Sequence, residues 1–365
     1  MQTKITKLQG ILLMMSTIAP TAILSVPSVV VQLSGQDAWA SIIIAMLVGI
    51  LFSLLIGSIC RQNTQTTFVE WLRERLGSKV GTLIGILLTY YYLISVVIEM
   101  REFVNFIGEN VLSRTPVYFL LIITVVVVMF GVSKGIVNIA QINVIVMPLS
   151  IVVFIVTGIL LMKDIHVENL LPVWDHPLSK VVHGSITPFT WLLQISILLL
   201  IAPFMNKPEE AGKVGIWGIV LTCIELGIIV IAAITIIGTK LISIMSYPTF
   251  YMIGIIQIGS FLERIDLLFI SIWICMMYVK MSIVMFATFH CFVETFRIRN
   301  QQPFLIGFGL FTIFTTLYAW PKSVDLAYFS KTSLIPYAVT FNILVPLVVW
   351  LLLRFIQPNP MKAGK

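Results

Sequence analysis

Lys280 has the least ordinary setting of any ionisable residue in this sequence, because it stands about midway along an apolar stretch from residue 266 to 292. An ammonium group at that depth cannot run its stem out to water, so it must face other protein. Trp273, Met277, Val284 and Thr288 share its helical face. Two chemistries fit: a fixed charge that stands in for a bound cation and latches neighbouring helices, or a structural pair with a carboxylate. The first is favoured, since ionisable groups at such depth mark ligand and ion pathways. Glu225 is central in its own apolar stretch, with Gly218 and Thr222 on the same stripe. It could pair with Lys280, bind a proton, or pack as a neutral acid. Tyr91, Ser95, Glu99 and Glu102 recur at i, i+4, i+8 and i+11 and make one polar helical face. Tyr91 and Ser95 are expected to wall a site, and Glu99 joins Lys280 and Glu225 among the groups that could act as an ion substitute. Arg101 lies off that face and is expected in a structural ion pair elsewhere.

Hydroxyls and amides cluster in two further stretches: Thr187, Thr190, Trp191, Gln194 and Ser196 in one, Asn138, Gln141 and Asn143 in the other. Singly, such groups are common glue between membrane helices; where they converge on a helix break they can line a site. The segment from 163 to 186 gathers Asp164, His166, Glu168, Asp175, His176 and His183, but at no metal-ligand spacing, so no metal is expected. No nucleophile elbow, phosphate-binding glycine loop, zinc-protease helix or ATPase signature occurs, which argues against an enzyme, an ATP-driven pump and a cofactor.

These groups must be positioned by helices in lipid. Of 365 residues 59% are hydrophobic and 11% charged, with 23 Lys and Arg against 16 Asp and Glu, and the mean hydropathy is +1.04. A soluble domain carries about a quarter charged residues, so a water-facing surface is excluded, and the net charge of +7 reports orientation and not nucleic acid. Ten apolar stretches are long enough to cross about 30 Å of hydrocarbon: 9–33, 38–60, 81–107, 116–133, 135–162, 187–205, 213–239, 266–292, 303–320 and 334–355. Lys4 and Lys7 before the first stretch imitate a secretory leader, but its continuation past Val29 makes it the first span. Because backbone in lipid must satisfy itself, the fold class is all-α integral membrane, with residues 1–365 in a single transmembrane bundle. Cys60, Cys223, Cys275 and Cys291 fall within or at the ends of apolar stretches and suggest no disulfide framework.

Twice as many lysines and arginines fall on the side of the N-terminus as on the other, so both termini are expected in the cytoplasm. On that side, Thr67 to Glu70 is a capping-box pattern opening a short amphipathic helix with Phe68, Val69, Leu72 and Leu76 on one face and a stop at Gly77. On the other, residues 248 to 261 are apolar enough for a second short helix. Prolines recur symmetrically: Pro20 and Pro27 in span one, Pro188 and Pro203 bounding span six, Pro148 in span five, Pro336 and Pro346 in span ten. Breakers in the first and fifth members of two five-helix sets, 9–162 and 187–355, predict a five-plus-five inverted repeat with broken helices one and six. In that arrangement small ligands bind at mid-membrane against freed backbone groups.

Several motifs resemble the spore germination permease family, the B subunits of nutrient germinant receptors in spore-forming bacteria. They are Ile23 to Pro27 through Gly35-Gln-Asp-Ala-Trp39, Glu99 to Phe103 with Ser113 to Pro116, Asn169-Leu-Leu-Pro172, Tyr247-Pro-Thr249 with Ile258 to Arg264, and Lys280 itself. The resemblance covers nearly the whole chain. It implies a fold similar to the amino acid-polyamine-organocation transporters and a nutrient held in the transporter-like site. It also implies an A-type membrane subunit and a C-type lipoprotein as partners, in the spore inner membrane. Two departures stand out: Pro20-Thr21-Ala22 where relatives have Gly-x-Gly, and Leu192-Leu193-Gln194 where they have Gly-x-Glu. Gln141 likewise stands where the family has an arginine. The pocket is therefore expected to be narrower or tuned to another ligand.

The expected function is a germinant receptor subunit that binds a small molecule, an amino acid or similar, and triggers germination. Pro20, Thr21, Ala22, Tyr91, Ser95, Thr190, Trp191 and Gln194 would hold the ligand, and Lys280 would act as latch. The alternative is a proton-coupled amino acid or amine transporter, with Glu225 or Glu99 as the proton site.

Overall fold

In a computed structural model, residues 3–63, 66–256 and 265–355 are described, and no strand occurs among them. The helices are α1 (Lys7–Ser34), α2 (Ala38–Cys60), α3 (Phe68–Leu76), α4 (Ser78–Asn110), α5 (Val117–Lys134), α6 (Ile136–Leu160), α7 (Leu178–Leu192), α8 (Leu198–Ile201) and α9 (Ala211–Ile237). They continue with α10 (Thr239–Ile242), α11 (Pro248–Gly254), α12 (Ile265–Phe296), α13 (Gln302–Ala319), α14 (Ser323–Thr332), α15 (Leu334–Val339) and α16 (Val345–Phe355). Among the described residues nine helical stretches are long and apolar enough to cross a membrane, and the first, Lys7–Cys60, holds both α1 and α2. Ten spans result, at the expected places: α1, α2, α4, α5, α6, the α7–α8 unit, α9, α12, α13, and α15 with α16. Leu47, Leu51, Val126, Ile145, Ile228 and Phe314 lie exposed on the outside of the bundle, as a lipid-facing surface requires.

The packing displays the repeat. α1 packs on α7, α2 on α9, α4 on α12 and α5 on α13, so each of the first four spans touches the span five places later. α2 and α9 approach backbone to backbone: a Cβ on Gly57 would collide with the backbone of Gly212. Lipid offers helices no hydrophobic drive to associate, so such backbone approach supplies the contact energy instead.

The breaks differ between the two lead helices. α1 runs as one helix through Pro20 and Pro27, contrary to the expectation of a break in its course; what it loses is hydrogen bonding. Each proline lacks an N–H, which leaves the carbonyl four residues earlier unanswered within the helix. The carbonyl freed by Pro27 is that of Ile23, and it accepts the hydroxyl of Thr249 on α11. The sixth span is interrupted in fact: α7 passes into a 3-10 turn at Leu193–Ile197, then α8, then a second 3-10 turn at Ala202–Phe204. In span ten a π-helical turn at Thr340–Leu344 separates α15 from α16.

Local chemistry corrects two further expectations. Thr67 precedes α3 but forms no capping box; its hydroxyl donates to Glu294 (3.0 Å) and accepts no N–H of the helix. The box is built instead at α1, where the Thr6 hydroxyl accepts from the Gln9 N–H (3.3 Å) and the Gln9 side chain accepts from the Thr6 N–H (2.9 Å). Arg73, on the polar face of α3, turns inward to donate to the Glu294 carbonyl (2.8 Å) and that of Thr295, closing the end of α12. Arg101 makes no ion pair among the described residues; it donates to the Pro321 carbonyl (2.8 Å). The short helix expected over 248–261 is seen as α11, which ends at Gly254; residues 257–261 lie outside the described residues, as does the motif from Ile258 to Arg264.

Two motifs distant in sequence form one clamp on the side opposite the N-terminus. Buried Asp37 accepts the backbone N–H groups of Trp174 (2.7 Å) and His176 (3.1 Å), and Gln36 donates to the Pro172 carbonyl (2.9 Å). Gly35 has φ +54, and a Cβ there would overlap the His176 ring. At the other end, fully buried Ile5 exchanges backbone hydrogen bonds with Phe204 and Asn206, both 2.8 Å, tying the start of the chain to the end of span six.

Substituting Gly57→Ala should destabilise the protein by about 1–3 kcal/mol through overpacking at Gly212, read as a lowered midpoint in thermal unfolding in detergent. Gly158→Ala, where a Cβ meets nothing within 4 Å, should leave that midpoint unchanged or raised.

Candidate functional site

Lys280 is fully buried near the middle of α12 and its ammonium is surrounded. Nζ donates to Thr21 Oγ1 at 2.7 Å and to Gln194 Oε1 at 3.0 Å, and lies 3.4 Å from Glu99 Oε1. An ammonium has three N–H donors, and these three acceptors answer all of them. The Trp191 ring lies 5.2 Å from the ammonium and presents its π face to it. One charge thus draws together α1, α4, the break in span six and α12, and the carboxylate partner is Glu99. Trp273, two turns before Lys280 on the same face, donates to the Pro20 carbonyl at 2.7 Å and fixes α1 a second time.

Beside this cluster is a cavity of about 30 Å³ lined by Tyr91, Ser95, Glu99, Thr190, Trp191 and Gln194, with Tyr337 and Ala338 of α15 as its far wall. That volume admits a few waters at most, so a nutrient fits only if a wall moves. Glu99 Oε2 is buried and has no hydrogen-bond partner among the described residues. The hydroxyls of Ser95 and Thr190 donate back to their own helices, to Tyr91 O (2.9 Å) and Ile186 O (2.8 Å), so both keep acceptor lone pairs for the cavity. Ala22 is fully buried within α1.

The structure therefore brings together Pro20, Thr21, Tyr91, Ser95, Glu99, Thr190, Trp191, Gln194 and Lys280. Glu225 stays apart on α9 and is not the partner of Lys280; both its carboxyl oxygens are buried without a hydrogen-bond partner among the described residues. Asn143 accepts the Ser16 hydroxyl (2.7 Å) and joins α6 to α1 as glue, while Gln141 is exposed. No group of three or more His, Cys, Asp or Glu that could hold a metal occurs among the described residues.

Sequence reasoning missed the support of the cavity. Asn342, in the π-helical turn, donates to the Tyr91 hydroxyl and to the Ala338 carbonyl (3.0 Å), and accepts from Ser196. Ser196 in turn meets the Tyr92 hydroxyl at 3.1 Å, and Tyr337 donates to the Tyr91 carbonyl at 3.0 Å. This network links the break in span six to the π turn in span ten across Tyr91. An amide flanked by apolar residues and followed by Pro346 was the available signal.

Ten spans, packed in pairs five apart around a polar centre at a broken sixth helix, define a membrane protein of transporter fold. Solved structures with that fold include a sodium-coupled sialic acid symporter in a substrate-bound outward-open state (TM-score 0.60, 14% identity, 94% of this chain and 77% of that one). A nucleobase-cation-symport-1 family transporter in a closed conformation follows at TM-score 0.57 and 12% identity, over 97% and 93%. A variant of the manganese transporter of Eremococcus coleocola gives TM-score 0.57 and 14% identity, over 95% and 76%. The family model of the spore germination protein matches residues 4–324, and the chain belongs to that family, which is not one of enzymes. Among relatives, spore germination protein B2 of Bacillus subtilis is 24% identical over 357 residues, covering 96% of this chain and 95% of its own. Spore germination protein YndE of Bacillus subtilis is 22% identical over 322 residues, 88% of each.

Lys280→Met should cost about 3–5 kcal/mol, because it leaves the Glu99 carboxylate buried without its cation. Adding Glu99→Gln should recover most of that loss, and a double-mutant cycle on thermal unfolding measures the recovery.

Proposed function

We propose that this protein is the nutrient-sensing subunit of a germinant receptor. It binds a small amine-bearing nutrient, an amino acid or similar molecule, between spans one, three, six and eight. It passes the event to an A-type membrane subunit and a C-type lipoprotein in the spore inner membrane, with both termini in the cytoplasm. Membership of the spore germination family supports the setting. The observation that carries the ligand class is the unpartnered Glu99 Oε2 at a cavity walled by Tyr91 and Trp191. A buried carboxylate oxygen without a donor is costly, and aromatic faces attract cations. A ligand ammonium would satisfy both.

The same geometry supplies a latch. A cation arriving at Glu99 competes with Lys280 for the carboxylate, and Lys280 is what holds α12 to Thr21 of α1 and Gln194 of span six. Weakening that pair shifts the balance between the closed arrangement and one in which α15 moves off the cavity, and a ligand can shift it only by its differential affinity for the two. Thr21 and Gln194 fall in the two stretches where this chain departs from its relatives' pattern, so the latch here uses neutral acceptors.

The carrier reading draws on the likeness of fold to transporters, with Glu225 as a separate proton site. The test is germination of spores lacking this gene, in a background without other receptors, challenged singly with amino acids, sugars and nucleosides. Complementation with the unaltered gene should restore the response to one amine-bearing class. Glu99→Gln, and Lys280→Ala combined with Glu99→Gln, should lower it at least tenfold at unchanged protein level by immunoblot. Normal germination in either variant would sink the latch, and saturable gradient-driven uptake by vesicles containing this chain alone would favour the carrier.

A further inference from the structure

A second cavity, far larger than the one beside Lys280, has no part in the reading above. It is a lateral groove of about 570 Å³ between α4, α12 and α13, bounded by Leu93, Phe292, Phe304, Gly307 and Phe311. Apart from Thr89 and Tyr90 its lining is aliphatic and aromatic. The size falls in the range of about 300–1,000 Å³ seen for small-molecule sites.

Depth and charge identify the occupant. Along α13 the wall runs from Pro303, beside the start of that helix, to Phe311. Eight residues of helix rise roughly 12 Å, close to half of a hydrocarbon core about 30 Å thick. The groove thus serves one leaflet, whereas a partner's transmembrane helix would need a seat through both. Its mouth is basic: Phe296 is followed directly by Arg297, and the connection to α13 also carries Arg299 and no acid. Lys79 stands at the start of α4 on the same side, and all three cations are exposed. This is the side on which lysine and arginine predominate. An apolar slot one leaflet deep with arginines at its rim matches one molecule class, because basic residues at the interface attract anionic headgroups.

We infer that the groove between α4, α12 and α13 binds an acyl chain of an anionic phospholipid whose phosphate is held by Arg297 and Arg299. The inference is independent of the nutrient site. The full chain, reconstituted in nanodiscs of equimolar phosphatidylglycerol and phosphatidylcholine and released into native mass spectrometry, should retain one phosphatidylglycerol, in roughly fivefold preference over phosphatidylcholine. Gly307→Trp fills the groove where a Cβ meets nothing within 4 Å, and should lower retention about tenfold without impairing folding. Arg297→Gln with Arg299→Gln should leave a lipid bound but bring the preference to parity. Equal retention of both lipids by the unaltered protein, or retention indifferent to Gly307→Trp, overturns the inference. So does a Gly307→Trp variant that keeps its lipid but loses a protein that co-purifies from native membranes.

Discussion

An ammonium ion in the middle of a bilayer has no water to turn to, and every donor it carries must be answered by protein. Lys280 meets that demand with one acceptor from α1, one from the broken sixth span and one from α4, each on a different helix. The three helices can separate only if the ammonium is left short of partners, so the relative placement of the bundle's centre is set by a single charge. Trp273 adds a second tie from the same helix to α1. Replacing a buried ion pair with apolar residues is often neutral for stability, so a pair retained here is better understood as a conformational device than as a source of stability.

The centre joins two irregular backbones. The 3-10 turn at Leu193–Ile197 contributes Gln194 to the ammonium and Ser196 to Asn342, while the π turn in span ten contributes Asn342 to Tyr91. Irregular backbone is tolerated at membrane depth only where protein surrounds it, and the two turns lie against one another, the first also lining the cavity through Gln194. The side chains that satisfy the turns also shape the space between them. Any change in one turn reaches the other through Ser196 and Asn342, without a longer route.

Much of this was legible in the sequence. Spans of apolar residues fixed the ten helices, because hydrocarbon thickness leaves little freedom in length. Lys280 announced itself by depth, and Tyr91, Ser95 and Glu99 by helical spacing, a signal that survives whatever the tertiary arrangement. Glu225 resembled them in depth and could not be separated from them, since partner choice depends on which helices are neighbours. The capping box at Thr67 failed for a related reason: its hydroxyl donates to Glu294, distant in sequence, and accepts no N–H of its own helix. Asn342 and the π turn were out of reach because a one-residue change in helical winding leaves no periodic trace in a short apolar segment. Proline pattern located the breakers in span one correctly and misjudged their effect, as α1 keeps its course and loses only individual hydrogen bonds.

One of those lost bonds limits how α1 can move. The Ile23 carbonyl, orphaned by Pro27, is answered by the hydroxyl of Thr249 from α11, a short helix that also packs on α9 and α12. Sliding of α1 along its axis would strip that carbonyl in a place without water. The C-terminal half of α1 and α11 are therefore hitched like a trailer to a towbar: they can pivot about the coupling together, and travel apart only by breaking it.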